Sequence, residues 1–402
     1  MRFGLFYELQ MPRPWETGAE HRLFNETLDQ FELADRLGYD YIWMVEHHFL
    51  EEYSHCSAPE VFLGAASQRT TRIRLGHGIM ALPPNVNAPA RVAERIATLD
   101  LISDGRVEFG SGASSTEVEL DGFRVDRRRK NAEWLEALDA VTRMLVEEPF
   151  AGYKGDHITM PPRNVVPKPL QTPHPPLWRS CIRREAIVDA ASRGLGALTF
   201  SFVQPDQAAR WVQAYYETIA SDECVPIGFS VNPNVAMTLY LQCHRDEAVA
   251  RERGVASHTF FAKSLAYYYQ HGTPAPGRTS LWDDLSIEEQ AKNGNGHQVE
   301  LSAAFDAVGS PGRIRERLRR YEEAGVDQIL LVAQSGRIPH EQVCESLELF
   351  AKEVMPEFHD RCEAVEHAKR IKLRPAVEAA LARRPGPVEV AQDYRVPRPA
   401  KL

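Results

Sequence analysis

Eight short β-type runs, each followed by a helix-patterned stretch, constrain the fold of this 402-residue chain more than any other feature. The runs cover residues 3–7, 41–45, 73–77, 107–110, 177–181, 197–202, 235–241 and 328–332. Helical patterning falls between them at 22–37, 59–68, 90–102, 132–146, 184–192, 207–220 and 313–324, and again after the last run at 340–354. Strict alternation predicts parallel strands with helical crossovers, and eight such units close a (β/α)8 TIM barrel. An open doubly wound sheet is the competing architecture, because periodicity does not distinguish closure from a free edge. Glycine precedes three of the strands, as Gly38, Gly194 and Gly325, where left-handed helix caps are expected.

The alternation breaks once. After the seventh strand and a helix near 247–254, a long stretch reaches residue 307 before the next barrel helix. It carries Tyr267-Tyr268-Tyr269, Gly and Pro over 272–277, and Asn293-Gly294-Asn295-Gly296. A loop of this length in a compact domain is expected to act as a lid over the strand ends, with a surface excursion or a dimer arm as the alternative. The expected organisation is a barrel over 1–358, holding a lid-like insertion at about 257–307 between strand seven and strand eight. A charged, Pro-rich tail follows over 359–402 and is expected to be peripheral.

The second strand is the most informative about chemistry. Its run Tyr41-Ile42-Trp43-Met44-Val45 reads as a strand buried on both faces, and it stops abruptly at Glu46-His47-His48. Active sites of βα-barrels lie at the carboxyl ends of the strands. An imidazole shuttles protons near neutral pH and a neighbouring carboxylate fixes its tautomer. His47 or His48 is therefore a candidate acid/base, against the reading of a structural histidine pair.

Two further strand ends carry polar residues. After the fourth strand, Gly110-Ser111-Gly112-Ala113-Ser114-Ser115 offers closely spaced N–H groups for a phosphate or a flat ring. It lacks the Gly or Ala at position 115 and the early chain location of a dinucleotide fingerprint, and tight-turn packing accounts for it equally well. After the fifth strand, Arg183 and Arg184 open a helix. Guanidinium groups and the positive helix end would there reinforce each other around a phosphate, or form no more than a solvated face.

A formal charge of -9 and a pI near 5.9 give no general attraction to nucleic acid or anionic lipid. No cleavable apolar leader and no membrane-length apolar run is visible, so a cytoplasmic location is expected. The cysteines Cys56, Cys181, Cys224, Cys243, Cys344 and Cys362 are scattered without a C-x-x-C pair, which argues against a zinc site and a disulfide framework. No metal site is expected.

Over about residues 1–358 the chain resembles the bacterial luciferase-like flavin-dependent monooxygenases. The resemblance rests on Arg2-Phe3-Gly4-Leu5-Phe6, on Gly38 through Phe49, on Arg72-Ile73-Arg74-Leu75-Gly76 and on Arg91 through Asp100. It continues through Ser103-Asp104-Gly105-Arg106-Val107 to Gly112, then Val308-Gly309-Ser310-Pro311 and Leu347-Glu348-Leu349-Phe350-Ala351. It implies a barrel that binds reduced FMN at its mouth, lets O2 form a peroxide on the ring and oxidises a small organic substrate. His47 matches the family's histidine beside the reacting ring, next to Glu46. Gly78-Ile79 matches a site where the family often has a non-prolyl cis peptide under the ring, and Ser111 and Gly112 would lie at the flavin edge. Ala113 stands where luciferase has a phosphate-binding Arg, and Ile182-Arg183 replaces the usual Glu-Ser pair, so Arg183 or Arg184 is expected to restore the lost charge. With no second nucleotide-binding unit in view, the flavin would come from a separate flavin reductase, and a homodimer is implied.

Three rival readings compete. A deazaflavin-dependent hydride-transfer enzyme would share the barrel and much of the pattern. A metal-dependent hydrolase could use Glu46, His47, His48 and His77, yet the first strand lacks the His-x-His expected of barrel amidohydrolases. A non-catalytic flavin-binding relative would keep the barrel without turnover.

Overall fold

The structure is a computed structural model and describes residues 1–271, 274–282 and 305–397. The chain runs β1 (Arg2–Tyr7), α1 (Ala19–Leu37), β2 (Tyr41–Met44), α2 (Pro59–Arg69), β3 (Arg74–His77), β4 (Met80–Ala81), α3 (Pro89–Ile102) and β5 (Val107–Gly112). Next come α4 (Glu117–Gly122), α5 (Lys130–Val146), a small hairpin of β6 (Tyr153–Lys154) and β7 (Thr159–Met160), β8 (Leu177–Cys181), α6 (Arg184–Ser192), β9 (Gly196–Thr199) and α7 (Pro205–Ile219). The remainder is β10 (Val235–Cys243), α8 (Glu247–Ala266), a π-turn (Tyr267–His271), β11 (Ala307–Gly309), α9 (Pro311–Glu323), β12 (Gln328–Val332), α10 (His340–Glu353) and α11 (Met355–Arg383).

Strands β1, β2, β3, β5, β8, β9, β10 and β12 pair in parallel in that order, and β12 returns to β1, so eight strands form a closed barrel. Closure removes the open-sheet alternative. The caps follow the sequence expectation, with φ of +88° at Gly38, +69° at Gly194 and +82° at Gly325, values that glycine adopts without a steric penalty.

The barrel interior explains the glycines within the strands. Trp43 and Trp178 fill it edge to face at 5.3 Å, and their indole N–H groups donate to Gln328 Oε1 and Glu108 Oε2. A β-carbon on Gly76 would lie 2.2 Å from the Trp43 ring, and one on Gly196 would lie 2.4 Å from that of Trp178. Each indole is fully buried, which contributes about 4–6 kcal/mol as an upper bound. Alternation along the strands then sets Phe6, Gly78, Gly112, Ser180 and Thr238 on the interior face nearer the mouth.

Four boundaries differ most from the sequence expectation. β5 extends to Gly112, because β4 pairs with its end and Leu82 N donates to Gly112 O, so Ser111 and Gly112 are strand residues. β9 stops at Thr199: Phe200 and Phe202 are apolar because they pack on Phe6 and Tyr240 at 5.1 and 4.6 Å, in the wall of the mouth. The helix expected near 247–254 continues to Ala266, and the three tyrosines form the π-turn. At the carboxyl end, α11 runs straight through the expected boundary at Phe358 and packs on the barrel, burying Cys362, Leu373 and Ala380. The Asn-Gly repeat of 293–296 lies outside the described residues. Five of the six cysteines are buried, and Cys344 is half-buried.

Candidate active site

His47 leaves the end of β2 into a shell of carboxylates and hydroxyls. Its Nδ1–H donates to Glu119 Oε1 at 2.9 Å, while Nε2 faces Glu8 Oε2 at 3.7 Å and the Tyr269 hydroxyl at 3.4 Å. Glu119 is itself fixed. It takes the Thr116 hydroxyl at 2.6 Å, the Ser114 hydroxyl at 3.1 Å and His48 N at 3.0 Å, and Thr116 caps α4 by accepting from Glu119 N. Burial alone would pull the His47 pKa down, but Glu119 and Glu8 outweigh it and hold the imidazole at about 9. Burial would raise Glu119, yet the charge and hydrogen bond of His47, with the Thr116 hydroxyl and His48 N, bring it down to about 2.

Glu8 follows β1 and is fully enclosed. Burial pushes its pKa up to about 7 against the pull of His47 and of the Tyr53 hydroxyl, which donates to Oε1 at 2.9 Å; Oε2 has no hydrogen-bond partner among the described residues. His47 therefore holds its proton at neutral pH while Glu8 is poised to exchange one there. Tyr53 joins His47 to Tyr269 and Phe261 in one aromatic wall, with ring centroids 5.6, 6.3 and 5.5 Å from it.

The residues singled out from sequence fall into different places. Glu46 is a structural pin rather than a free carboxylate: its oxygens take Ala81 N at 2.8 Å, Asn87 Nδ2 at 2.8 and 3.1 Å, and His48 Nε2 at 3.2 Å. The Gly78–Ile79 peptide is cis, with Ile79 O accepting from Glu46 N at 3.1 Å. Gly112 faces inward, where a β-carbon would lie 2.8 Å from both Ile79 Cδ1 and Ser180 Oγ. Ser111 points the other way, its hydroxyl oxygen accepting from Trp134 Nε1–H at 3.1 Å, between barrel and α5. Ala113 is half-buried, while Arg183 and Arg184 are exposed at the start of α6, Arg183 facing Glu185 at 4.0 Å.

Glu8, Glu119 and Tyr53 were not singled out from sequence, and Tyr269 was noted only within the aromatic run of the expected lid. Two carried a signal: Glu8 stands just past the first strand as Glu46 does past the second, and Thr116-x-x-Glu119 is a capping box after the fourth. Lys130 was also missed, its ammonium donating to Ser114 O at 2.5 Å beside the Gly112–Ser115 loop.

Gly78 and Gly112 carry no side chain, and Phe6, Trp43, Ile79 and Ser180 close in on them, with Phe6 and Phe200 packed at 5.1 Å. The family model described as luciferase-like monooxygenase matches residues 1–328. The chain belongs to this family. The flavin-dependent trigonelline monooxygenase oxygenase component of Acinetobacter baylyi is 25% identical over 369 residues, covering 90% of this chain and 96% of that protein. The monooxygenase RslO1 from Streptomyces bottropensis superposes with a TM-score of 0.73 at 25% identity, over 89% of this chain and all of that one. At 20% identity two structures share the fold. One is the oxygenating constituent of 3,6-diketocamphane monooxygenase from Pseudomonas putida in complex with FMN, TM-score 0.66, covering 89% of this chain and 98% of that one. The other is an F420-dependent secondary alcohol dehydrogenase, TM-score 0.63, covering 88% and 98%. This luciferase-like chain is thus an enzyme of the monooxygenase type. Among its described residues no helix is long and apolar enough to cross a membrane.

Proposed function

We propose that this chain is the oxygenase component of a two-component, flavin-dependent monooxygenase. It takes reduced FMN from a separate flavin reductase and uses O2 to oxidise a small organic substrate at the barrel mouth. The observation that carries this reading is His47, fixed at Nδ1 by Glu119 and facing Glu8 Oε2 through Nε2 at 3.7 Å, just past Glu46, whose N–H donates to Ile79 O. The trigonelline relative, itself named an oxygenase component, supports the two-component arrangement.

When bound, reduced FMN supplies the two electrons with which one oxygen atom enters the substrate and the other leaves as water. Ile79 and Gly112 would hold the ring, and Arg183 or Arg184, at the amino end of α6, would hold the phosphate. Their exposure in this structure suits a group that reaches them at the rim. His47 Nε2–H would present a proton to the mouth, and Glu8 would accept or return it. Glu119 sets the tautomer and orientation of His47 without sharing its free nitrogen. Tyr53, Phe261 and Tyr269 exclude water, which strengthens each of these interactions. Dimerisation through α2 and α3 is part of the proposal, supported by the exposed Val61, Leu101 and Ile102.

Anaerobic titration with reduced FMN and, in parallel, with a reduced deazaflavin tests the cofactor. Reduced FMN should bind at least about tenfold more tightly. The double variant R183A/R184A should lose at least that factor for FMN while leaving riboflavin binding unchanged. Preference for the deazaflavin would overturn the oxygenase reading in favour of hydride transfer.

A further inference from the structure

Buried polar groups are almost always hydrogen-bonded, and Tyr240 and Gln242 in the wall of the mouth beyond Tyr53 are among the exceptions, as is Nε2 of the neighbouring His258. Tyr240 and Gln242 are 0% and 1% exposed. The Tyr240 hydroxyl and both amide atoms of Gln242 have no hydrogen-bond partner among the described residues. Strand alternation along β10 puts Thr238, Tyr240 and Gln242 on the side facing the barrel axis. There α8 covers them: the His258 ring lies flat on Tyr240 at 4.5 Å and 3°, with Nδ1 and Ser335 Oγ 2.6 Å apart.

An aromatic wall leads from this place to His47. Phe261 stands 5.4 Å from Tyr240 and 5.5 Å from Tyr53, which is 5.6 Å from His47. The Tyr240 and Tyr53 hydroxyls are near enough to act on each other electrostatically. One end of the wall handles protons, and the other carries two neutral groups with hydrogen-bonding capacity to spare. His258, the titratable group stacked on Tyr240, is driven neutral by burial, its pKa falling to about 3. A carboxylate placed here would be buried without a counter-charge, whereas a carbonyl or hydroxyl would satisfy both orphan groups.

We propose that Tyr240 and Gln242 are a distal anchor for the substrate, and that the substrate is an elongated, largely apolar molecule with a neutral carbonyl or hydroxyl remote from its reacting atom. The proposal rests on the reading of the mouth as an oxygenase site. The probes are naphthalene, 2-naphthol and 2-naphthoate, titrated by tryptophan fluorescence into the full chain and into its Tyr240→Phe and Gln242→Leu variants. Wild type should bind 2-naphthol about tenfold more tightly than naphthalene, and 2-naphthoate more weakly than 2-naphthol. The hydroxyl preference should fall to within about threefold in each folded variant, so either one suffices if the other does not fold. The anchor is overturned by any of three results: 2-naphthol binding no tighter than naphthalene in wild type, 2-naphthoate binding tightest, or a preference that both variants retain. FMN binding is read separately from flavin absorbance. A chain that binds no FMN yet keeps a Tyr240-dependent hydroxyl preference upholds the anchor and overturns the cofactor assignment instead.

Discussion

At the amino-terminal end of the barrel Arg2 bridges Asp40 at 2.9 Å and Glu366 at 2.8 Å, whereas at the carboxyl-terminal mouth Glu8 is enclosed with one oxygen unpartnered. The floor goes on in the same way: His359 meets Asp40 at 3.0 Å and Lys369 meets Asp327 at 2.6 Å, as α11 brings counter-charges to the strand starts. A depression of about 720 Å³ lies there, lined by Arg2, Asp40, Arg74, His359 and Lys369, yet its charges already hold one another. The mouth instead sets two carboxylates around one imidazole and leaves acceptor capacity unspent. Paired charge fixes a fold, while unpaired buried charge displaces a pKa toward neutrality and readies a proton.

The comparison can be broken at several points. Removing the packing that separates the two ends, with Trp43→Ala, should lower unfolding free energy by about 3–5 kcal/mol in urea denaturation. At the mouth, His47→Ala should reduce coupled product formation by about 10²–10³-fold and, by leaving Glu119 and Glu8 without their cation, lower the melting temperature; a loss of activity under about fivefold in the folded variant would remove His47 from the proton-handling role.

Glu119→Gln should bring the His47 pKa down from about 9 toward 6.5, read by NMR titration of the imidazole. The same variant tests the pH profile of stability. Glu119, lowered to about 2, contributes stability that is full above 4.5 and is lost as pH falls toward 2. His47, raised to about 9, contributes stability that is full below 6.5 and is lost as pH rises through 9. Both flanks should flatten together in the variant. The smallest effect belongs to the floor: Glu366→Gln breaks a half-exposed bridge to Arg2 and should cost under about 1 kcal/mol, less at high salt.

Much of this was legible beforehand. Eight strands with glycine-capped helices announced the barrel because periodicity and turn chemistry are local properties. His47 was legible because a buried strand that stops at an acid and two imidazoles points at a strand end. Glu46 was legible as the acid beside the imidazoles, and only the fold revealed Ala81 and Asn87 as its partners. Ser111 was expected in a loop past the fourth strand, and the structure makes it a strand residue facing α5, since the extension of β5 by β4 is a tertiary event.

By itself, the sequence determined the element order, the barrel count and the strand that carries the imidazole, for these follow from spacing along one chain. Tertiary structure alone decided which carboxylates reach that imidazole. Glu8 and Glu119 come from different strand ends, and only barrel closure sets them on either side of His47, where burial makes their charges act on it strongly.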